Sequence, residues 1–144
     1  MVDALLECWR ILGREGALID LRPVHSNPAI EVISAGTHFV PGHLVDEMGA
    51  ADDVAADEAM VQVVRRGYFA PQMQETFKFA SYWDTLEGLL AYADKKWRGH
   101  KRLPPAVLRQ AQRHIADIFT PYRICIRNTI HLAVYKKQEP PLTQ

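Results

Sequence analysis

A chain of 144 residues with 17 lysines and arginines against 17 aspartates and glutamates carries no global field that would draw it to nucleic acid or anionic lipid. Its 48% hydrophobic and 24% charged content excludes a disordered chain and fits one folded domain of ordinary size. Zero net charge also favours self-association.

The two cysteines, Cys8 and Cys125, stand far apart on apolar segments, without a Cys-x-x-Cys spacing or a Cys/His partner. That reads as core thiols in a reducing compartment rather than a zinc site or a disulfide. The N-terminus lacks a basic stretch followed by an apolar run and a small-residue cleavage site, and no window approaches the ~20 apolar residues that span a bilayer. A cytoplasmic protein is expected.

In chain order, Val2 to Leu12 reads as a helix with Leu5, Leu6, Trp9 and Leu12 on one face. Gly13 is expected to end it in a left-handed cap, and Gly16 to turn the chain. Ala17-Leu18-Ile19-Asp20-Leu21 is short and mostly apolar between Gly16 and Pro23, which predicts a strand covered on both faces. Ile30–Ser34 and Thr37–Val45 form a predicted hairpin around Ala35-Gly36, with Pro41-Gly42 bending the second arm. A helix follows over Asp53–Arg66, acidic at its start, basic at its end and stopped by Gly67. Gln72 to Tyr82 alternates Met73, Phe77 and Phe79 with Gln74, Thr76 and Lys78, predicting a half-buried strand. Asp84-Thr85-Leu86-Glu87 opens a helix with Leu86, Leu89, Leu90, Ala93 and Trp97 on one side, and Pro104-Pro105 opens another with Val107, Leu108, Ala111, Ile115 and Ile118 buried. The last strand sets Ile124, Ile126, Ile130, Leu132 and Val134 against Arg123, Arg127, Thr129, His131 and Tyr135, with Asn128 as a place for a bulge. One domain over residues 1–136 and a flexible tail over 137–144 are expected.

The helix ending in Trp9-Arg10-Ile11-Leu12, the turn closing on Gly16 and the strand Ala17–Leu21 followed by Arg22-Pro23 resemble class I S-adenosylmethionine-dependent methyltransferases, over about twenty residues. The match is to the helix before that fold's fifth strand and to the strand itself. The family's basic-proline-glycine-glycine turn is here Gly13-Arg14-Glu15-Gly16, without the proline and the first glycine. The Phe77/Phe79 strand and the final strand then take the places of the sixth and seventh strands. The family holds its cofactor on a glycine-rich turn and an acidic residue in its N-terminal half, because backbone amides must approach the ligand closely. This chain has no Gly-x-Gly, and Met1 falls where the helix after the fourth strand begins. The resemblance therefore implies the substrate-side half of a Rossmann-like fold, binding no cofactor alone and S-adenosylmethionine only if a partner supplies the other half.

Asp20, Arg22 and His25 lie at or just past the carboxyl end of the first strand, where open α/β sheets place ligand crevices. They are the ligand-binding candidates. The plainer reading is an Asp20–Arg22 pair and a loop histidine. His38, His43, Asp46 and Glu47 suggest a metal set by residue type, but Pro41-Gly42 interrupts the spacing and hairpin polarity accounts for them. Lys95–Arg102 is a basic run around Trp97 facing an acidic run from Asp46 to Glu58. Weak nucleic-acid binding is one reading; self-association through the opposite patches, or their packing within one molecule, is the other. No Gly-x-Ser-x-Gly, P-loop or His-Glu-x-x-His sequence marks a catalytic residue.

The chain is thus expected to be an α/β fold, a mixed sheet flanked by helices with a hairpin insertion after the first strand. Without the N-terminal half, the Ala17–Arg22 strand has a bare edge, and a homodimer joined there is expected. The functional expectation is a non-catalytic, methyltransferase-like module for self-association or small-ligand binding. The alternative is a methyltransferase half that needs a separate cofactor-binding half.

Overall fold

The computed structural model describes residues 1–97 and 99–139. Its elements run α1 (Val2–Ile11), β1 (Ala17–Pro23), β2 (Ala29–Ser34), β3 (Thr37–His43), β4 (Val45–Asp46), α2 (Gly49–Arg65), β5 (Phe69–Trp83), α3 (Leu86–Lys96), β6 (Lys101–Arg102), α4 (Pro105–Asp117) and β7 (Tyr122–Lys137). The class is α/β, as expected, and the sheet is mostly antiparallel: β1 and β2 each pair antiparallel with β7, β3 pairs antiparallel with β2, and β5 also joins β7. The chain divides into two compact units, one of Met1–Val24, Ala50–Phe77 and the stretch from Thr129 on, the other of His25–Gly49 and Lys78–Asn128. No helix among the described residues is long and apolar enough to cross a membrane.

In the first unit β1 lies antiparallel to the second half of β7, from Ala17 opposite Lys136 to Pro23 opposite Ile130. Met60, Val63 and Phe69 form the core, closed by Leu5, Leu6 and Trp9 of α1, Leu18 of β1 and Tyr135 of β7. Trp9 meets Tyr68 edge to face at 5.2 Å and donates its indole N–H to the Gln138 carbonyl at 2.7 Å. Helices α1 and α2 thus cover the sheet face that bears Leu18 and Tyr135, and this overturns three expectations. The first strand is not covered on both faces, because Ile19 and Leu21 remain 64% and 61% exposed. In β7 the apolar row changes role along the strand: Ile130, Leu132 and Val134 are only half-buried, while His131 and Ala133 are the buried residues. Met73 and Phe77 of β5 are exposed rather than half-buried, and so is Phe79 in the part of the strand that belongs to the second unit. Alternation identified these strands, but whether an apolar row is buried depends on which face the helices cover. Gly13 is not a left-handed cap either, since Leu12 ends α1 in an extended conformation and the positive-φ residues lie elsewhere.

The second unit holds the expected hairpin, with Ala35 and Gly36 at φ 47° and 79° between β2 and β3. Strand β2 pairs with the first half of β7, and here Ile124 and Ile126 do join the core with Ile30, Val32, Leu44, Leu86, Leu89 and Ala111. Thr85 caps α3 by accepting the Gly88 amide at 3.0 Å. A side chain at Gly42 would stand 2.5 Å from a Val107 methyl, so the hairpin can lie against α4 only where Cβ is missing.

Helix α2 starts at Gly49, four residues before the predicted Asp53, because the Asp46 carboxylate accepts the Met48 and Gly49 amides at 3.3 and 3.0 Å. Of the expected tail 137–144, Lys137 ends β7 and the Gln138 amide donates to Tyr68; residues 140–144 lie outside the described residues.

Candidate functional site

Residues two apart on a strand share a face, so Asp20 and Arg22 point the same way, onto the side covered by α2. The Arg22 Nε lies 3.1 and 3.2 Å from the two Asp20 oxygens. Its Nη2 donates to Asp57, and its Nη1 donates to the Asp53 carbonyl at 3.4 Å, with the Asp53 carboxylate 3.9 Å away. Asp53 and Asp57 are one turn apart on α2, so one guanidinium ties the helix to the strand. Burial alone would lower the Arg22 pKa, but the hydrogen bonds to Asp57 and Asp20 outweigh it and raise the pKa. Across the ladder His131 stands opposite Arg22, with its Nε2 3.7 Å from Asp20. Burial, then the negative charge of Asp20, pushes up the Tyr135 hydroxyl.

Beside this cluster runs a groove of about 530 Å3, lined among others by Asp57, Met60, Val64, Pro71, His131 and Tyr135. Its volume is in the range of small-molecule sites. Its lining joins the apolar Met60, Val61, Val64 and Pro71 to the polar Asp57, Arg65, Gln74, His131 and Tyr135, a mixture suited to binding. The Asp20, Arg22 and Asp57 charges beside it are partnered with one another.

The structure brings Asp20 and Arg22 together but gives His25 different company. His25 belongs to the second unit, where its Nδ1 lies 3.9 Å from Asp46. Burial would raise the Asp46 pKa, and the Gly49 amide with the nearby Lys101 ammonium, 3.6 Å away, brings it down. Asp57, His131 and Tyr135 are the site residues that local reading missed. The Asp53/Asp57 spacing was visible, but placing His131 beside Asp20 requires the β1–β7 register.

Several of the remaining candidates are held by neighbouring charges. His38 meets Glu31 at 2.8 Å, and Arg127 meets Glu31 at 2.9 Å. Among the described residues no group of three or more histidines, cysteines or carboxylates is placed to hold a metal ion. In the basic run, β4 and β6 pair so that Lys101 faces Asp46 and Arg102 faces Glu47 at 2.9 Å, while Trp97 packs on the second unit's core. Arg98 lies outside the described residues. Both cysteines are free, Cys125 buried and Cys8 partly so, and burial raises the Cys125 pKa.

Compared with protein-family models, curated proteins and solved structures, the chain finds no match.

Proposed function

We propose that the chain is a methyltransferase-like half-fold that works as an association module, forming a homodimer through the free edge of β1. One observation carries this reading. Among the described residues β1 pairs with β7 alone, and beside its open edge stand the exposed side chains of Ile19 and Leu21. An unpaired edge is a template for another strand, and charged side chains on the exposed face are one of several ways proteins blunt it. Here the strand's charges, Asp20 and Arg22, point to the covered side. The lineage is supported by the pairing of β1, β5 and β7 in one sheet, with α1 ahead of β1. These are the strands that the resemblance assigns to the fifth, sixth and seventh places.

Light scattering at tens of micromolar is expected to give the mass of a dimer. Ile19→Lys is expected to weaken association at least ~10-fold, because a desolvated ammonium at the contact costs more than 1.4 kcal/mol. A wild-type monomer at that concentration overturns the reading.

The same pairing of β1, β5 and β7 also supports the second reading, a methyltransferase half completed at this edge by a cofactor-binding half. Calorimetric titration of the isolated protein with S-adenosylmethionine separates the two. No heat is expected in the absence of a glycine-rich cradle, whereas micromolar binding would favour the enzyme. Nucleic-acid binding is the weakest reading, since Lys101 and Arg102 already face carboxylates.

A further inference from the structure

Two backbone bonds fix which way the edge of β1 points. The Lys137 amide donates to the Gly16 carbonyl at 3.0 Å, and the Val24 amide donates to the Thr129 carbonyl at 2.8 Å. Both obey the register that places Ala17 opposite Lys136. In an antiparallel ladder, bonded and non-bonded pairs alternate. Leu18, Asp20 and Arg22 therefore bond to β7, while Ala17, Ile19, Leu21 and Pro23 turn their backbone groups outward. Pro23, with no N–H, occupies an outward position, as a proline in an edge strand must. The open edge offers three donors, on Ala17, Ile19 and Leu21, and four carbonyls.

We infer that a second copy of this chain adds its own β1 to this edge, antiparallel, with Ile19 on the two-fold axis. The inference rests on the reading of β1 as the association edge and goes on to choose among the pairings open to two identical strands. Outward residues must oppose outward residues, and the axes that satisfy this while overlapping five or more residues of β1 pass through Ile19, Asp20 or Leu21; axes at Leu18 or Arg22 overlap only three and leave an outward amide unpaired. An axis at Leu21 sets Ile19 against Pro23 of the other copy, which has no N–H to return, and leaves the Ala17 amide beyond the overlap. An axis at Asp20 uses every donor but places two Asp20 carboxylates directly opposite each other, in the non-bonded pair where side chains are closest, and like charges there repel. An axis at Ile19 uses every donor: Ile19 bonds its own counterpart twice, and each Ala17 exchanges both bonds with a Leu21. Asp20 then faces Leu18, and no like charges meet. On the open face Ile19 packs on Ile19 and Leu21 on Ala17. Such an isologous contact uses the same patch on both copies and closes at two, giving a dimer rather than a fibre.

Single cysteines test the axis in a Cys8→Ser background, Cys125 being fully buried. Directly opposed bonded residues have Cα atoms about 5.5 Å apart, within disulfide range. Under mild oxidation Ile19→Cys is expected to form a covalent dimer at least tenfold faster than Leu21→Cys, while a mixture of Ala17→Cys and Leu21→Cys gives the heterodimer. Faster or equal trapping by Leu21→Cys, or no trapping by any variant in a protein that scatters as a dimer, overturns the Ile19 axis and leaves the association reading standing. A wild-type monomer removes both. Circular dichroism checks that each variant folds. Amide exchange in the unmodified chain gives an independent reading: the Ala17, Ile19 and Leu21 amides are expected to slow on dimerisation, and fast exchange in the dimer overturns the proposed pairing.

Discussion

Arg22→Ala is expected to lower the free energy of unfolding by about 2–3 kcal/mol, read as a shift of the urea midpoint at unchanged slope. The guanidinium is the common partner of Asp20, Asp53 and Asp57, and its side chain is only 21% exposed, with Asp20 at 17%. Deleting it leaves Asp20 in a part-buried position without its cation. Removing one member of a desolvated charge set costs more than the set contributes as a whole. The exposed Asp57 end adds little, which keeps the figure below that of a fully buried pair. Arg22→Lys is expected to recover less than half of the loss. An ammonium is a point charge on a flexible stem and cannot span the two Asp20 oxygens and α2 together. A loss under ~0.5 kcal/mol for Arg22→Ala would show that the cluster behaves as an ordinary surface pair.

The largest effect is expected at Phe69, where substitution by alanine should cost about 3–5 kcal/mol in the same measurement. Phe69 is 2% exposed and packs with Met60 and Val63, themselves buried, under the α1 side chains. The lost transfer energy and the cavity left behind act together, since a core closed by Trp9 and Tyr135 relaxes only in part. Phe77→Ala, in the same strand but at an exposed position, is expected to change stability by no more than about 0.5 kcal/mol. Similar losses at both positions would mean that the exposed face of β5 is covered in solution, and would direct attention to it as a second contact surface.

Much of the secondary structure was legible because its signals are local. Thr85 ahead of Leu86, Pro104-Pro105 ahead of Val107, and Gly67 after Arg66 mark helix ends through bonds made within a turn or two. The Ala35-Gly36 turn was legible for the same reason. The 2-residue period of Tyr122–Lys137 gave a strand without reference to any neighbour. The Asp20–Arg22 pair followed from spacing alone.

Local signals do not say what lies opposite. Ile124 and Ile130 belong to one apolar row, yet Ile124 is fully buried and Ile130 is not, because burial depends on which elements cover each stretch of β7. His131 lies beside Asp20 through a pairing between positions more than a hundred residues apart. His25, three residues from Arg22, instead finds Asp46. The amino-acid order of this chain therefore determined its helices and its longer strands. The register of β1 on β7, and the covering of one face only, decided which residues form the charged cluster and which edge stays open. Those are long-range contacts, and the hydrophobic effect that drives them is non-directional; it buries apolar surface without specifying, from sequence spacing alone, which surface will be met.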